Sequence, residues 1–147
     1  MSNFISIPFL VALVSGIAMA VQGTLNAGLA QKTNLIAATA VVHIIGTLIS
    51  VTTVLVLGVP FFNINWLSVQ WYLYLGGVLS VIIIGLVAVS IPRIGVSNAT
   101  TAIIIGQVGT ALLIDHFGWF GVDRLHWSPW QLLGLGMFAA GAKLLFR

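Results

Sequence analysis

An all-α integral membrane protein with five transmembrane helices is the fold class this sequence predicts, and three observations carry the reading. Only seven of the 147 residues are charged: Lys32, Arg93, Asp115, Asp123, Arg124, Lys143 and Arg147, with no Glu. Apolar types make up 60% of the chain, against roughly 45–50% in a soluble domain, where about a quarter of residues are charged. Residues 1–31, 33–92 and 94–114 carry no charged side chain at all. Such a chain cannot clothe a globule in polar groups, so a soluble enzyme is excluded. A membrane helix needs about 20 apolar residues. Five such helices leave only short loops, and residues 1–147 are expected to form a single membrane domain.

The first span is expected over about residues 4–30, from Phe4, with Pro8 in its first turns where proline is tolerated. Ala18-Met19-Ala20 has the look of a signal-cleavage site, but no Lys or Arg precedes the apolar run. A cleaved signal has a basic leader, so a retained span is expected. Lys32-Thr33-Asn34 reads as a tight turn. The second span, 35–57, stops at Gly58-Val59-Pro60, a breaker cluster. Residues 61–70, with Asn63, Asn65 and Trp66, read as a loop or interfacial stretch. The third span is expected over 71–91, followed by a turn at Pro92-Arg93-Ile94-Gly95, and the fourth over 96–115. Gly118 and Gly121 break the next stretch. The fifth span, 129–146, opens with Ser128-Pro129-Trp130-Gln131: an N-cap, a proline at the first helical position and a capping box. The runs are continuously apolar, whereas barrel strands alternate.

Charge placement predicts an orientation. With five spans, Lys32, Arg93, Lys143 and Arg147 share one side of the membrane. Arg124 is the only base on the other side, which also carries all five Trp residues, 66, 71, 119, 127 and 130. The positive-inside rule then puts the N-terminus outside and the C-terminus in the cytoplasm. The net charge of +3 comes from scattered residues, not a basic stripe, so nucleic acid is not an expected partner.

Polar groups inside spans are costly, so their positions are informative. Thr39, His43, Gly46, Thr47 and Ser50 share one face of the second span, with His43 near mid-membrane. Ser15, Met19, Gln22 and Asn26 share one face of the first. Thr100, Gln107 and Thr110 line the fourth, with Asp115 about 80° around from Gln107 at 100° per residue. In one reading these three faces converge on a polar cavity. Gln22, Asn26, His43, Thr47 and Gln107 would bind a small solute, with His43 or Asp115 exchanging protons. In the other reading the amides are interhelical hydrogen-bond glue, His43 is a neutral structural residue, and Asp115-His116 is a solvated helix end.

Small residues form a second pattern. Gly76, Gly77, Ser80, Gly85 and Ala88 keep the third span slim, and Gly136 and Ala140 give the fifth a small-xxx-small face suited to close packing, including against a partner chain. Other chemistry is not indicated. There is no nucleotide loop or H-E-x-x-H motif, and no Cys. Asp115, His116, Asp123 and His126 lack a recognised ligand spacing. No nucleophile–base pair lies within the spans. No metal, cofactor or enzymatic activity is therefore expected.

Several segments together carry a family resemblance. They are Gln22-xxx-Asn26, His43-xx-Gly46-Thr47, Gly76-Gly77, Pro92-Arg93-Ile94-Gly95, Gly106-Gln107 and Ile114-Asp115-His116-Phe117-Gly118-Trp119-Phe120-Gly121. In order and spacing they resemble the YdcZ-type inner-membrane proteins of the drug/metabolite transporter superfamily. The resemblance covers nearly the whole chain. It implies a bacterial inner-membrane exporter subunit, half of a ten-helix assembly formed with a second copy or an oppositely oriented paralogue. Its partners would be membrane lipid and a small-molecule solute, and alternating access is implied by the superfamily. One departure matters. The small multidrug-resistance branch uses a Glu in its first helix to exchange protons, and this chain has none. A non-transporting scaffold subunit is the alternative, and a passive channel is disfavoured by the lack of a charged ring.

Overall fold

The computed structural model describes residues 6–146, and within them every regular element is helical. Phe4, where the first span was expected to begin, and Arg147, one of the four bases in the orientation argument, lie outside the described residues. Five α-helices follow in order: α1 (Ile7–Lys32), α2 (Leu35–Val56), α3 (Leu75–Ile94), α4 (Val96–Phe117) and α5 (Pro129–Leu145).

Caps set most of the boundaries. Ser6 caps α1 through Phe9 N–H, with Pro8 in the first turn. Asn34 Oδ1 accepts from Ile36 N–H at 2.9 Å and starts α2, so the turn between α1 and α2 is only Thr33-Asn34. α2 ends one residue before the expected Leu57. The breaker cluster at Gly58 takes effect there, with Gly58 in the left-handed region at φ 63. Ser128 and Gln131 form the expected capping box at the start of α5.

The third span differs from expectation at both ends, and α1 and α4 each run two residues past their expected ends, to Lys32 and Phe117. The expected turn at residues 92–95 shrinks to Gly95. Pro92 lacks the N–H that would reach the Ala88 carbonyl, yet α3 continues through Arg93 to Ile94. The proline leaves the helix one bond short and its ring crowds the Ala88 carbonyl, but so near the end this does not stop the helix. What stops the chain is Gly95, at φ 83 and ψ 159, a conformation essentially reserved for glycine. The third span also starts differently. Trp71–Tyr74 is a 3₁₀ turn, and α-geometry begins at Leu75.

The stretch between α2 and α3 is a knot of three short 3₁₀ turns, Phe61–Asn63, Trp66–Ser68 and Trp71–Tyr74. Trp66 Nε1 donates to the Phe61 carbonyl at 3.0 Å, and Tyr74 Oη donates to the Trp66 carbonyl at 2.6 Å. Amphipathic rings holding their own backbone suit the membrane–water boundary.

The chain divides after Arg93 into two compact units. In the first, α1 packs on α2 across the tight turn, and α3 joins them. A Cβ added at Gly23 would lie 3.0 Å from Val87 Cγ1 and 3.4 Å from Ile91 Cδ1, so α1 meets α3 at its glycine. In the second unit, α4 packs on α5. Among the described residues the buried apolar side chains are all alanines, Ala27, Ala38, Ala88, Ala99 and Ala142, while most of the large apolar ones are exposed.

α1, α2, residues Trp71–Ile94 and α4 are long and apolar enough to cross a membrane, with mean hydropathy between 1.4 and 2.4 and no more than 11% of any segment buried. Apolar surface on that scale is stable only against lipid or another apolar partner. α5, at 17 residues, reaches about 25 Å at 1.5 Å per residue.

Candidate functional site

The first unit contains a polar cluster built on α2 and α3. His43 sits midway along α2, half-buried. Its Nδ1 lies 2.8 Å from the Thr39 carbonyl, one turn earlier. A carbonyl can only accept, so Nδ1 carries the hydrogen. Its Nε2 lies 2.9 Å from Ser80 Oγ on α3. Ser80 Oγ in turn lies 2.8 Å from the Gly77 carbonyl, in the first turn of α3. Thr39 is buried and spends its hydroxyl on Leu35 O at 2.8 Å.

Asn26 is 8% exposed. It shares a buried face of α1 with Gly23 and Ala27, the face that meets α3. Its side-chain amide makes no hydrogen bond among the described residues. The amide itself keeps access to the surface of the unit, since the one fully enclosed unpaired side-chain atom among the described residues is His116 Nδ1. Gln22, one turn earlier, is exposed and also unbonded.

Hydroxyls on α2 divide into two kinds. Ser50, Thr52 and Thr53 each donate to the carbonyl four residues back at 2.8 Å. A hydroxyl satisfied inside its own helix is tolerated in lipid and needs no partner. Thr47 is the exception on this helix, exposed and without a hydrogen bond among the described residues.

In the second unit, Gln107 and Thr110 are exposed on α4, and Thr100 and Asp115 are half-buried. The stretch after α4 folds back onto its end. Gly118, left-handed at φ 66, returns its N–H to Ile114 O at 2.8 Å. Leu125 N–H reaches Asp115 O at 2.8 Å, Arg124 Nε reaches His116 O at 2.9 Å, and Trp127 Nε1 reaches Leu112 O at 3.0 Å. Four carbonyls of the last turns are thus capped. The His116 ring lies 4.5 Å from that of Trp127, and its buried Nδ1 has no partner among the described residues. At the opposite end of α4, Gly95 supplies no capping side chain, and an open cavity of about 530 Å³ lies beside residues 94–98 and Leu144 and Leu145.

Added Cβ atoms at Gly76, Gly77 and Gly136 would meet nothing within 4 Å, and Ala140 is exposed. Within their own units these small residues face open space. Ser80 and Gly23 are the residues sequence reasoning undervalued. Ser80 lies among the small residues that keep the third span slim, yet it is the only hydrogen-bonding side chain in residues 75–89. Gly23 carried no signal beyond its size.

A set of long, apolar, outward-facing helices with a small polar cluster between two of them defines a multi-pass α-helical membrane protein. Residues 7–144 match the family described as "Putative inner membrane exporter, YdcZ". The chain belongs to that family, an exporter family and not an enzyme family, located in the inner membrane. No curated protein and no solved structure matched the chain. Membership supports a transporter in general, in contact with lipid and handling small solutes.

Proposed function

We propose that this chain is one five-helix half of a proton-coupled secondary exporter of small polar solutes, a single membrane domain working as a dimer by alternating access. The observation that carries the reading is the His43–Ser80 pair between α2 and α3, in a unit where the Asn26 amide on α1 makes no hydrogen bond among the described residues. Polar groups placed at membrane depth are expensive and mark solute or ion paths. Gln22, Asn26, His43, Thr47 and Gln107 are proposed to bind solute, and His43, with Asp115 nearer one mouth, to exchange protons. Uncommitted amides and a free hydroxyl are what a polar solute needs to replace its water.

The fifth span is α5. Its 17 residues fall at the short end of the roughly 17–25 that cross a bilayer. Five helices make a thin bundle, so the solute path is assigned to the interface of two chains, near the midplane. The open faces at Gly76, Gly77, Gly136 and Ala140 are proposed as helix-packing surfaces, the last two against the partner, either a second copy or an oppositely oriented paralogue.

The test is flux. Purified protein in liposomes, offered amines, sugars and small acids with and without a pH gradient, is expected to move at least one class of solute. His43→Ala and Gln107→Ala are expected to abolish gradient-driven flux while the protein stays folded. Unchanged flux in both variants, or a folded protein that moves nothing, rejects the proposal.

A further inference from the structure

Resting on His43 as the proton carrier just proposed, we infer that Ser80 reverses its hydrogen bond with each proton His43 gains or loses. The donor count leads there. Nδ1 faces the Thr39 carbonyl at 2.8 Å, an acceptor in every protonation state, so its hydrogen stays. The proton that comes and goes is therefore on Nε2. Among the described residues Nε2 faces one hydrogen-bonding group, Ser80 Oγ, at 2.9 Å. That hydroxyl has a single hydrogen and two acceptors in reach: bare Nε2, or the Gly77 carbonyl at 2.8 Å. It cannot serve both.

Two states follow. In the neutral ring, Nε2 is bare and Ser80 donates to it, leaving the Gly77 carbonyl without the hydroxyl. In the charged ring, Nε2–H donates to Ser80 Oγ, and the serine hydrogen turns to Gly77. Uptake transfers one proton from hydronium to the ring and leaves water; release returns it to water. No other bond changes. The α2–α3 hydrogen bond survives in both states with its direction reversed. The ring can thus carry a proton at membrane depth without losing its partner, while the first turn of α3 registers the change at Gly77. The packed helices carry Lys32 at the end of α1 and Arg93 at the end of α3, with Tyr72 and Tyr74 ahead of α3. Of these, Tyr74 spends its hydroxyl on the Trp66 carbonyl, and Lys32 and Arg93 lie in the last turns of their helices.

The test is solid-state NMR of the full chain in liposomes, with ring-15N histidine, between about pH 5 and pH 9. The His43 signals are assigned by their absence in His43→Gln. At the alkaline end the expected form is the Nδ1–H tautomer, with a bare, hydrogen-bonded Nε2; at the acid end both nitrogens are protonated. In Ser80→Ala the alkaline Nε2 signal is expected to move to the value of an unbonded nitrogen, and Ser80→Thr to restore it. A neutral Nε2–H tautomer, an Nε2 signal indifferent to Ser80→Ala, or a ring that never gains its second proton overturns the inference. If Ser80→Ala fails to fold, the wild-type tautomer and Ser80→Thr decide it. Flux in the same liposomes separates the two readings. Flux that needs His43 without the Nδ1–H tautomer sinks the reversal alone. The reversal without any flux sinks the transport reading alone.

Discussion

At single residues, glycine placement separates two kinds of requirement. Gly95 sits at φ 83 and ψ 159, where a side chain is strained whatever the space around it. Gly16 lies in regular helix with nothing near its missing Cβ. Gly95→Ala is expected to destabilise the protein by about 1–3 kcal/mol. Gly16→Ala should be neutral or stabilising by about 0.5–1 kcal/mol, because alanine loses less backbone freedom on entering a helix. Thermal unfolding in detergent ranks the two, and equal losses would refute the distinction. Gly23 is a third case. Its conformation is ordinary but α3 is already against it, so Gly23→Leu is expected to cost about 1–3 kcal/mol by overpacking.

Among elements, α5 depends on what precedes it. Ser128 caps its first turn and Gln131 completes the box, while the returning stretch ties itself to α4 through Trp127 and Arg124. Ser128→Ala is expected to cost about 1 kcal/mol and to speed amide exchange in the first turn of α5. Trp127→Phe keeps a ring beside His116 but leaves the Leu112 carbonyl without its side-chain donor, a loss of about 1 kcal/mol. Its faster exchange should appear in the last turns of α4 instead. Exchange unchanged in both helices would show that neither cap matters.

For the whole molecule, the exposed apolar helices and the open small-residue faces bear on assembly. Gly136→Leu with Ala140→Leu is expected to convert a crosslinked dimer to monomer, because two added side chains block backbone approach. An undiminished dimer band would remove that face from the interface. The proposed orientation has its own check. Cysteines replacing Ser68 and appended at the C-terminus should label differently from outside the cell: Ser68→Cys is reached and the C-terminus is not. Labelling of the C-terminus alone would invert the topology, and labelling of both in separate molecules would mean dual insertion.

Helix type and most helix starts were legible in the amino-acid order, because they depend on neighbours a few residues apart. The apolar runs, Asn34, Ser128 with Gln131, and Gly58 act over one turn, and the helices begin and end beside them. Pro92 misled by three residues, since a proline's effect depends on whether the helix can spare one bond there. The site was half legible. His43 could be singled out as a mid-membrane titratable group, and Thr39 lies one turn away on the same face. Ser80 could not be joined to it, because the two are 37 residues apart and only the packing of α3 beside α2 brings Oγ within 2.9 Å of Nε2. Nor could the order reveal that Ser50 satisfies itself while the Asn26 amide has no hydrogen bond among the described residues. Composition and local periodicity made this chain helical and membrane-bound, since those follow from transfer free energy and short-range hydrogen bonding. Which polar groups meet, and which are left free, was decided by tertiary packing, since a hydrogen bond between helices exists only where their backbones approach.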